Sequence, residues 1–272
     1  MNNYKMFITD IDGTLLNSDK ILSQANKESL IKLQESGTTL VLASGRPTYG
    51  INPIAKELQM DRYDGYILSY NGSYIIRCRD NKILESFSLT KEDVHKMYDF
   101  AVEYNLDILT YLNGTVISNR RSEYVNTEVV LTKMAHLATN EFKRIIDEPC
   151  VKVILLGEPT HLKQVEKILK EKYSILYNIA ISEPIFLEVF SKEASKGVSM
   201  LKLAQMLNID SQEIIAIGDS FNDLEMLKLA GTSIAVENSS PEIKGLANHI
   251  GKSNDEDAVA HVINNFILDA HM

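Results

Sequence analysis

One short segment near the start of the chain places the strongest limit on its fold. Met6–Thr9 is predicted to be a buried β-strand, and it runs directly into Asp10–Leu15, which has the sequence DIDGTL. Gly13 permits a sharp turn, which places two carboxylates at the carboxyl end of the strand. In an open parallel α/β sheet, ligands bind at that edge. Paired acids there can hold a divalent metal or divide the roles of nucleophile and general acid.

The two ends of the chain alternate between predicted strands and predicted helices. Because the strands are continuously apolar and are separated by helices, we expect an α/β fold with a Rossmann-like, doubly wound parallel sheet. For the first helix, Ser23 is a candidate N-cap and Gly37 a candidate stop. The strands are Met6–Thr9, Thr38–Ala43, Tyr66–Leu68, Ile214–Ile217 and Ser233–Val236, and the helices are Ser23–Ser36, Lys196–Leu207 and a short one opened by Ser240-Pro241.

The middle of the chain has a different pattern. Residues 107–119 contain Asn113-Gly114 between β-prone runs, which is a strong signal for a β-hairpin. Further strands are predicted at Val151–Leu156 and Ile185–Phe190, around a helix from about residue 160 to 172. Hairpins mixed with helices indicate a small α+β domain. We therefore predict a core formed by residues 1–82 and 191–272, with an inserted domain at 83–190.

Composition excludes several kinds of partner. The formal net charge of −9 over 272 residues argues against nucleic acid, whose phosphates require a basic surface. The chain has no basic region followed by an apolar stretch at its start and no run of about 18 apolar residues, so we expect neither a signal peptide nor a membrane segment. Cys78 and Cys150 are far apart, and the six histidines lack zinc-type spacing. A cytoplasmic protein is therefore expected.

Residues of complementary chemistry follow the predicted core strands. If these strands are parallel neighbours, the residues all meet at one edge of the sheet. Carboxylates can bind a metal, a hydroxyl and backbone amides can bind phosphate oxygens, and a lysine can offset charge, which together are the groups that phosphoryl transfer needs. The residues are Asp10 and Asp12 after the first strand, Ser44 after the second, Asp219, Asn222 and Asp223 after the late strand, and Lys196 near the start of a helix.

Four segments resemble, in the same order, the motifs of the haloacid dehalogenase-like (HAD) phosphatases. They are Asp10–Leu15, Ser44–Arg46, Lys196-Gly197 and Gly218–Asp223. The inserted domain between the second and third segments, with Asn71-Gly72 shortly before it, is similar to that of the Cof-type branch, which carries a large α/β cap. The resemblance covers essentially the whole chain. It implies a HAD-like core with an inserted cap.

The resemblance also implies a role for each matching residue in the hydrolysis of a phosphate ester. Asp10 would attack phosphorus and form an aspartyl-phosphate, while Asp12 would protonate the leaving oxygen and then activate water. Ser44 and the Gly45 amide would hold phosphate oxygens. Lys196 would position Asp10 and the phosphoryl group.

A magnesium site is part of the same expectation. Mg²⁺ would take a carboxylate oxygen of Asp10, the main-chain carbonyl of Asp12 and the side chain of Asp219. Asp223 would support Lys196 or a metal-bound water. The metal would offset the repulsion between an anionic carboxylate and an anionic phosphate.

Several residues beside these segments are open to more than one interpretation. Asn222 would help to order the phosphate end of the pocket. Arg46 could contact substrate or pair with an acid. Ser44 could instead cap the helix that follows Pro47. Glu237 stands where the family often has a small, glycine-containing turn, so the shape of the pocket rim is left open.

The leading prediction is an Mg²⁺-dependent phosphatase that acts on small phosphorylated metabolites such as sugar phosphates. A phosphomutase that uses the same intermediate is an alternative. A non-enzymatic alternative is a phospho-acceptor switch of the receiver type, which also combines clustered acids, a hydroxyl group and a lysine. Asp12 and the inserted domain argue against the switch, because a switch must keep its phosphoryl group. A sugar-phosphate sensor that has lost turnover is the remaining alternative.

Overall fold

The structure is a computed structural model and describes residues 4–268. The chain divides into two compact units. The first runs up to Ser86 and resumes at Ser195, and the second is Phe87–Ala194. These limits lie a few residues from the predicted domain edges near Lys82 and Ser191.

Strands and helices occur throughout the described residues. The strands are β1 (Met6–Asp10), β2 (Thr39–Ala43), β3 (Tyr66–Ser69), β4 (Tyr74–Arg77), β5 (Lys82–Ser86), β6 (Asp107–Leu112), β7 (Thr115–Ser118), β8 (Ala135–Ala138), β9 (Lys152–Leu156), β10 (Tyr177–Glu183), β11 (Phe186–Ser191), β12 (Ile214–Gly218), β13 (Thr232–Ala235) and β14 (His249–Ile250). The helices are α1 (Gln24–Glu35), α2 (Thr48–Glu57), α3 (Lys91–Glu103), α4 (Glu123–Thr132), α5 (Phe142–Ile145), α6 (Pro159–Tyr173), α7 (Lys196–Leu207), α8 (Leu224–Leu229), α9 (Pro241–Lys244) and α10 (Ala258–Ile263).

The first unit is built on an eight-stranded sheet with the order β14-β13-β12-β1-β2-β3-β4-β5. The strands from β14 to β3 are parallel, which confirms the predicted α/β fold with a parallel sheet. Strands β4 and β5 are antiparallel additions that the sequence pattern does not predict. The physical reason for their direction is the short connection after β3, since a parallel crossover needs a dozen residues or more.

The apolar strands of this sheet are covered on both faces. All five residues of β1 are buried, and Phe7, Leu40 and Ile215 belong to one continuous apolar core. Helix α1 packs against α10 on this core. Its Ser23 N-cap accepts a hydrogen bond from the Asn26 amide at 3.1 Å, as predicted.

The second unit has its own six-stranded sheet with the order β10-β11-β9-β6-β7-β8. Its strands pair in antiparallel fashion except β7 with β8. The predicted hairpin is present between β6 and β7. Asn113 and Gly114 both have positive φ, 48° and 74°, as a two-residue hairpin turn requires. A separate apolar core lies between one face of this sheet and the helices, with Phe100 of α3 and Leu162 of α6 in it.

Parallel pairing brings the carboxyl ends of the central strands together. Asp10, the last residue of β1, is in register with Ala43 of β2, and Thr9 is in register with Ile217 of β12. The residues that follow these strands therefore lie at one edge of the sheet. Within residues 4–268, no helix has the length and apolar character needed to cross a bilayer.

Candidate active site

Three aspartates lie together at this edge of the first unit. Asp10 ends β1, Asp219 follows β12 directly, and Asp223 closes a 3₁₀ turn. One carboxylate oxygen from each lies within 4.8 Å of the others. We call these three residues the acidic cluster. They are the acids that could hold a metal ion.

Lys196 extends into the acidic cluster from the first turn of α7. Its side chain is 0% exposed, and Nζ lies 2.5 Å from Oδ1 of Asp10 and 2.6 Å from Oδ1 of Asp223. The helix begins at this residue because Ser195 caps it, accepting a hydrogen bond from the Val198 amide at 3.0 Å. The ammonium group therefore holds two carboxylates of the cluster in fixed positions.

The cluster has more negative charge than its one lysine can balance. Burial raises the pKa of Asp10 well above its ordinary value, with Lys196 opposing the rise and Asp223 adding to it. Burial also raises the pKa of Asp219, against the hydrogen bond from Thr14. Burial alone would lower the pKa of Lys196, but Asp10 and Asp223 outweigh it and the pKa is raised. Such a site favours a cation, because three carboxylates face one ammonium group.

The hydrogen bonds indicate which acids can bind a metal directly. Both oxygens of Asp223 are engaged, one by Lys196 and the other by the backbone amides of Asp219 and Ser220 at 3.0 Å. Asp10 and Asp219 each have one oxygen engaged by a donor, Lys196 and Thr14 respectively. The carboxylates of Asp10 and Asp219 also lie close enough to each other for one cation to bind both. The donor set of hard oxygens therefore fits a divalent metal of the Mg²⁺ type.

Gly13 is required next to this cluster. Its φ is +82°, and a Cβ at this position would lie 2.8 Å from Oδ2 of Asp219. Any other residue would both strain the turn and push against a carboxylate of the cluster. Glycine is therefore needed here for two reasons: the turn predicted after Asp12, and the short distance between this turn and the Asp219 carboxylate.

Asp12 does not belong to the acidic cluster. Its half-buried carboxylate accepts two hydrogen bonds from the guanidinium of Arg46, at 2.7 and 2.8 Å, and one from Lys20 at 3.1 Å. Burial would raise the pKa of Asp12, but Arg46 and Lys20 lower it below its ordinary value. Two roles of Asp12 remain predictions: that its side chain acts as general acid and base, and that its main-chain carbonyl binds the metal. Arg46 was expected either to contact substrate or to pair with an acid, and in the structure it pairs with the acid Asp12.

Ser44 and Gly45 lie in the loop after β2. Ser44 is buried, and its Oγ accepts a hydrogen bond from the Arg46 amide at 3.1 Å. The alternative that Ser44 caps the next helix is wrong, because α2 begins at Thr48 after Pro47 and has no side-chain cap. The N-cap position is taken by Pro47, whose side chain has no atom that could accept a hydrogen bond from the first turn. The hydroxyl of Ser44 and the Gly45 amide stay predicted phosphate ligands.

Asn222 is exposed at the same edge, and its Nδ2 donates a hydrogen bond to Oδ1 of Asn71 at 2.9 Å. Asn71 is also next to Gly45, since a Cβ on Gly45 would lie 3.2 Å from that oxygen. In the sequence, Asn71 serves only as a mark of the Cof-type branch. The structure gives it a left-handed backbone, φ 57°, and the Asn71-Gly72 dipeptide is the sequence signal that could have marked a turn here.

Other contacts at the site have weaker signals in the sequence. Thr14 lies in the first motif and donates to Asp219 at 2.8 Å, whereas nothing marks Lys20 in advance. Glu237 is exposed and pairs with Lys244 at 2.8 Å. Its neighbour Asn238 donates to the Gly13 carbonyl at 2.7 Å. The unusual acid therefore points to α9, while the following asparagine supports the loop after β1.

Comparison with known proteins agrees with this arrangement. A family model described as haloacid dehalogenase-like hydrolase matches residues 7–263. A crystal structure of a haloacid dehalogenase-like hydrolase from Bacteroides thetaiotaomicron is 40% identical, with a TM-score of 0.88 over 97% of this chain and 100% of that one.

Curated relatives have matching lengths. YxeH of Bacillus subtilis (strain 168), provisionally named a phosphatase, is 30% identical over 97% of this chain and 99% of its own. The 5-amino-6-(5-phospho-D-ribitylamino)uracil phosphatase YwtE of the same organism is 25% identical over 97% of this chain and 98% of its own. These matches confirm the resemblance drawn from the four motifs. The chain belongs to the haloacid dehalogenase-like hydrolase family and is an enzyme of the phosphatase class.

Proposed function

We propose that this enzyme is an Mg²⁺-dependent phosphatase that hydrolyses small phosphorylated metabolites, sugar phosphates in particular, through an aspartyl-phosphate on Asp10. The observation that carries the proposal is the contact between Asp10 and the fully buried Lys196 inside the acidic cluster. A nucleophile needs this fixed orientation, and a phosphoryl group needs the positive charge. The relative YwtE is named for a ribityl phosphate, which supports a phosphorylated polyol or sugar as the substrate.

The metal site in this proposal uses the acidic cluster. Asp10 and Asp219 would bind Mg²⁺ directly, together with the main-chain carbonyl of Asp12, and Asp223 would act through Lys196 or a metal-bound water. When bound, Mg²⁺ offsets the negative charge of the carboxylates and of the phosphate.

The first half of the reaction transfers the phosphoryl group to the enzyme. A carboxylate oxygen of Asp10 forms a bond to phosphorus while the bond from phosphorus to the alcohol oxygen breaks. Asp12 gives its proton to that oxygen, and the alcohol leaves. Before this step Asp12 must be protonated. Because Arg46 and Lys20 favour its ionised form, Asp12 must separate from both of them to take up the proton.

The second half returns the enzyme to its starting state. Asp12, now a carboxylate, takes a proton from a water molecule, whose oxygen bonds to phosphorus. The bond between phosphorus and the Asp10 oxygen breaks and inorganic phosphate forms. Ser44, the Gly45 amide and Asn222 would hold the other phosphate oxygens throughout, and Lys196 would keep Asp10 aligned.

The test is a panel of phosphorylated sugars and polyols, assayed for release of inorganic phosphate with Mg²⁺ and with excess EDTA. We expect hydrolysis that EDTA lowers by about 10²-fold or more. Borohydride reduction of acid-quenched enzyme should give a reduced residue at Asp10 in the mass spectrum. Isomerised sugar phosphate without free phosphate would replace the proposal by a phosphomutase. An aspartyl-phosphate that lasts for minutes would replace it by a phospho-acceptor switch.

A further inference from the structure

The segment after β3 has an uncommon backbone. Tyr70, Asn71 and Gly72 have consecutive positive φ angles of 51°, 57° and 89°. Glycine adopts this conformation freely and asparagine tolerates it, but it is rare for an aromatic residue. A strained turn of this kind persists only where its surroundings hold it.

One side of the turn is held by the phosphate-binding loop of the proposed site. The Tyr70 amide donates to the Arg46 carbonyl at 3.0 Å, and the Asn71 amide donates to the Ser44 carbonyl at 2.9 Å. The left-handed residues thus direct two successive amides at one loop. The loop after β2 cannot shift without breaking both bonds.

The other side of the turn is held by the first turn of α7. Ser199 Oγ donates to the Gly72 carbonyl at 2.5 Å. A Cβ on Gly72 would collide with the carbonyl of Ser195, which directly precedes Lys196. The turn is therefore packed between the loop that would bind phosphate and the helix that carries the buried lysine.

The side chain of Asn71 is placed by this backbone. Its Oδ1 accepts the hydrogen bond from Asn222 Nδ2 at 2.9 Å and lies next to the Gly45 backbone. One carboxamide is thus hydrogen-bonded to Asn222 and close to the Gly45 backbone, two of the groups to which the proposed function assigns phosphate oxygens. A shorter side chain would reach neither, and a carboxylate would add negative charge beside the phosphate.

We propose that Asn71 is a positioning residue for the phosphoryl group, which it serves by fixing Asn222 and the Gly45 backbone. The inference rests on the proposed function of this site. In this left-handed conformation, the side chain of Asn71 lies between the loop after β2 and the loop after β12. Removal of the carboxamide loosens both contacts and weakens the binding of the phosphoryl group.

The test compares Asn71→Gly with Asn208→Gly. Both asparagines are left-handed, with φ 57° and 54°, so glycine keeps either backbone and removes only the side chain. Asn208 lies at the far end of α7 and serves as the control. We expect the dissociation constant of orthovanadate, measured calorimetrically with Mg²⁺, and KM to rise about tenfold in Asn71→Gly alone. Unchanged values in Asn71→Gly would overturn the inference.

Two further variants test the route through Asn222. In Asn71→Gly/Asn222→Ala, the loss of vanadate affinity should be smaller than the product of the two single losses, because the residues act together. A full product would show that Asn71 does not act through Asn222. Asn71→Asp keeps an acceptor for Asn222 but brings a negative charge, so we expect a larger loss than with glycine. Wild-type affinity in Asn71→Asp would refute a place beside the phosphate.

The experiment separates failure of this inference from failure of the proposed function. Vanadate binding does not require turnover. If the wild-type protein binds vanadate but hydrolyses none of the sugar phosphates, the proposed function fails, and the comparison of Asn71→Gly with Asn208→Gly still decides the role of Asn71. If the wild-type protein binds neither vanadate nor inorganic phosphate, both are overturned.

Discussion

Each of the two units buries a group of charged side chains, and the two groups are built differently. In the first unit, the three carboxylates of the acidic cluster share Lys196. In the second unit, Lys152 pairs with Glu188 at 2.8 Å, with side chains 9% and 13% exposed. The first group has three carboxylates for one lysine. In the second group, Lys152 pairs with Glu188 and also acts on the nearby buried carboxyl of Glu128.

The positions of the two groups explain this difference. The acidic cluster lies where parallel strands end, so it has no oppositely charged cross-strand neighbour: Asp10 is in register with Ala43, and Asp219 and Asp223 follow β12. Lys152 and Glu188 lie on the antiparallel strands β9 and β11 as diagonal neighbours, since Lys152 is in register with Phe190 and Glu188 with Ile154. Buried charge without a partner destabilises a fold, so it is retained where a ligand supplies the missing charge. The contrast indicates a ligand site in the first unit and a structural pair in the second.

The largest expected effect is that of Asp10→Asn on turnover. The amide is not a nucleophile, so kcat should fall by about 10³-fold or more. The same change removes one of three like charges, so the melting temperature should stay equal or rise. Phosphate release and thermal unfolding, measured on the same preparation, check both statements.

The matched control is Asp107→Asn in the second unit. Asp107 is 2% exposed and pairs with Arg120. Its replacement should lower the melting temperature and leave kcat within about twofold, the reverse of the effect at Asp10. Wild-type turnover in Asp10→Asn would show that the acidic cluster is not the site of reaction.

Replacement of the two buried lysines by methionine gives the next largest effect. Lys196→Met leaves three carboxylates without a cation and should lower the free energy of unfolding by about 3–5 kcal/mol. Lys152→Met leaves Glu188, which still reaches solvent, and the buried Glu128 without their cation, so it should cost less, about 1–2 kcal/mol. Urea unfolding with unchanged m-values measures both. Equal losses would mean that the two groups do not differ in their charge balance.

The sequence predicts most of the fold because local patterns decide it. Each predicted strand of the first unit is present, and its first and last residues lie within one residue of the predicted ones. The Asn113-Gly114 hairpin also lies where it was expected. Strands β4 and β5 were not predicted because neither alternates: β4 buries the adjacent residues Ile75 and Ile76, and β5 is mostly exposed. Pairing of β4 with β3 and of β5 with β4, rather than a local pattern, makes them part of the sheet.

For the site, strand ends can be predicted but side-chain directions cannot. Asp10, Asp219 and Lys196 meet because parallel strands bring their ends to one edge. The pairing of Asp12 with Arg46 depends on which way two side chains turn after their strands end. The contact of Asn71 with Asn222 joins residues far apart in sequence through one left-handed turn. Neither contact has a periodic pattern that a sequence could reveal.

A titration with Mg²⁺ tests the contrast between the two charged groups, with an expected effect on stability smaller than that of Lys196→Met. A ligand that binds only the folded state raises the free energy of unfolding by about 2.7 kcal/mol at a hundred times its dissociation constant. We expect Mg²⁺ to stabilise the wild-type protein and Lys152→Met to the same degree. Asp219→Asn should lose most of the gain. Thermal unfolding with Mg²⁺ or EDTA measures this, and a full Mg²⁺ effect in Asp219→Asn would contradict a metal site at the acidic cluster.

The smallest effect concerns a buried acid in the second unit. Burial raises the pKa of Glu128, while the hydroxyl of Tyr111, which donates to its carboxylate, opposes the rise. A carboxyl whose pKa is higher in the folded state favours folding below its ordinary pKa, and that advantage disappears as the pH rises through the raised value. Glutamine carries no such proton and still accepts from Tyr111. The melting temperature of Glu128→Gln should therefore rise relative to the wild-type value as the pH increases from the ordinary glutamate pKa, about 4, and should level off once the pH exceeds the raised pKa of Glu128. The exposed Glu123→Gln on the same helix is the control, and a constant difference across this range would mean that burial does not favour the protonated form of Glu128.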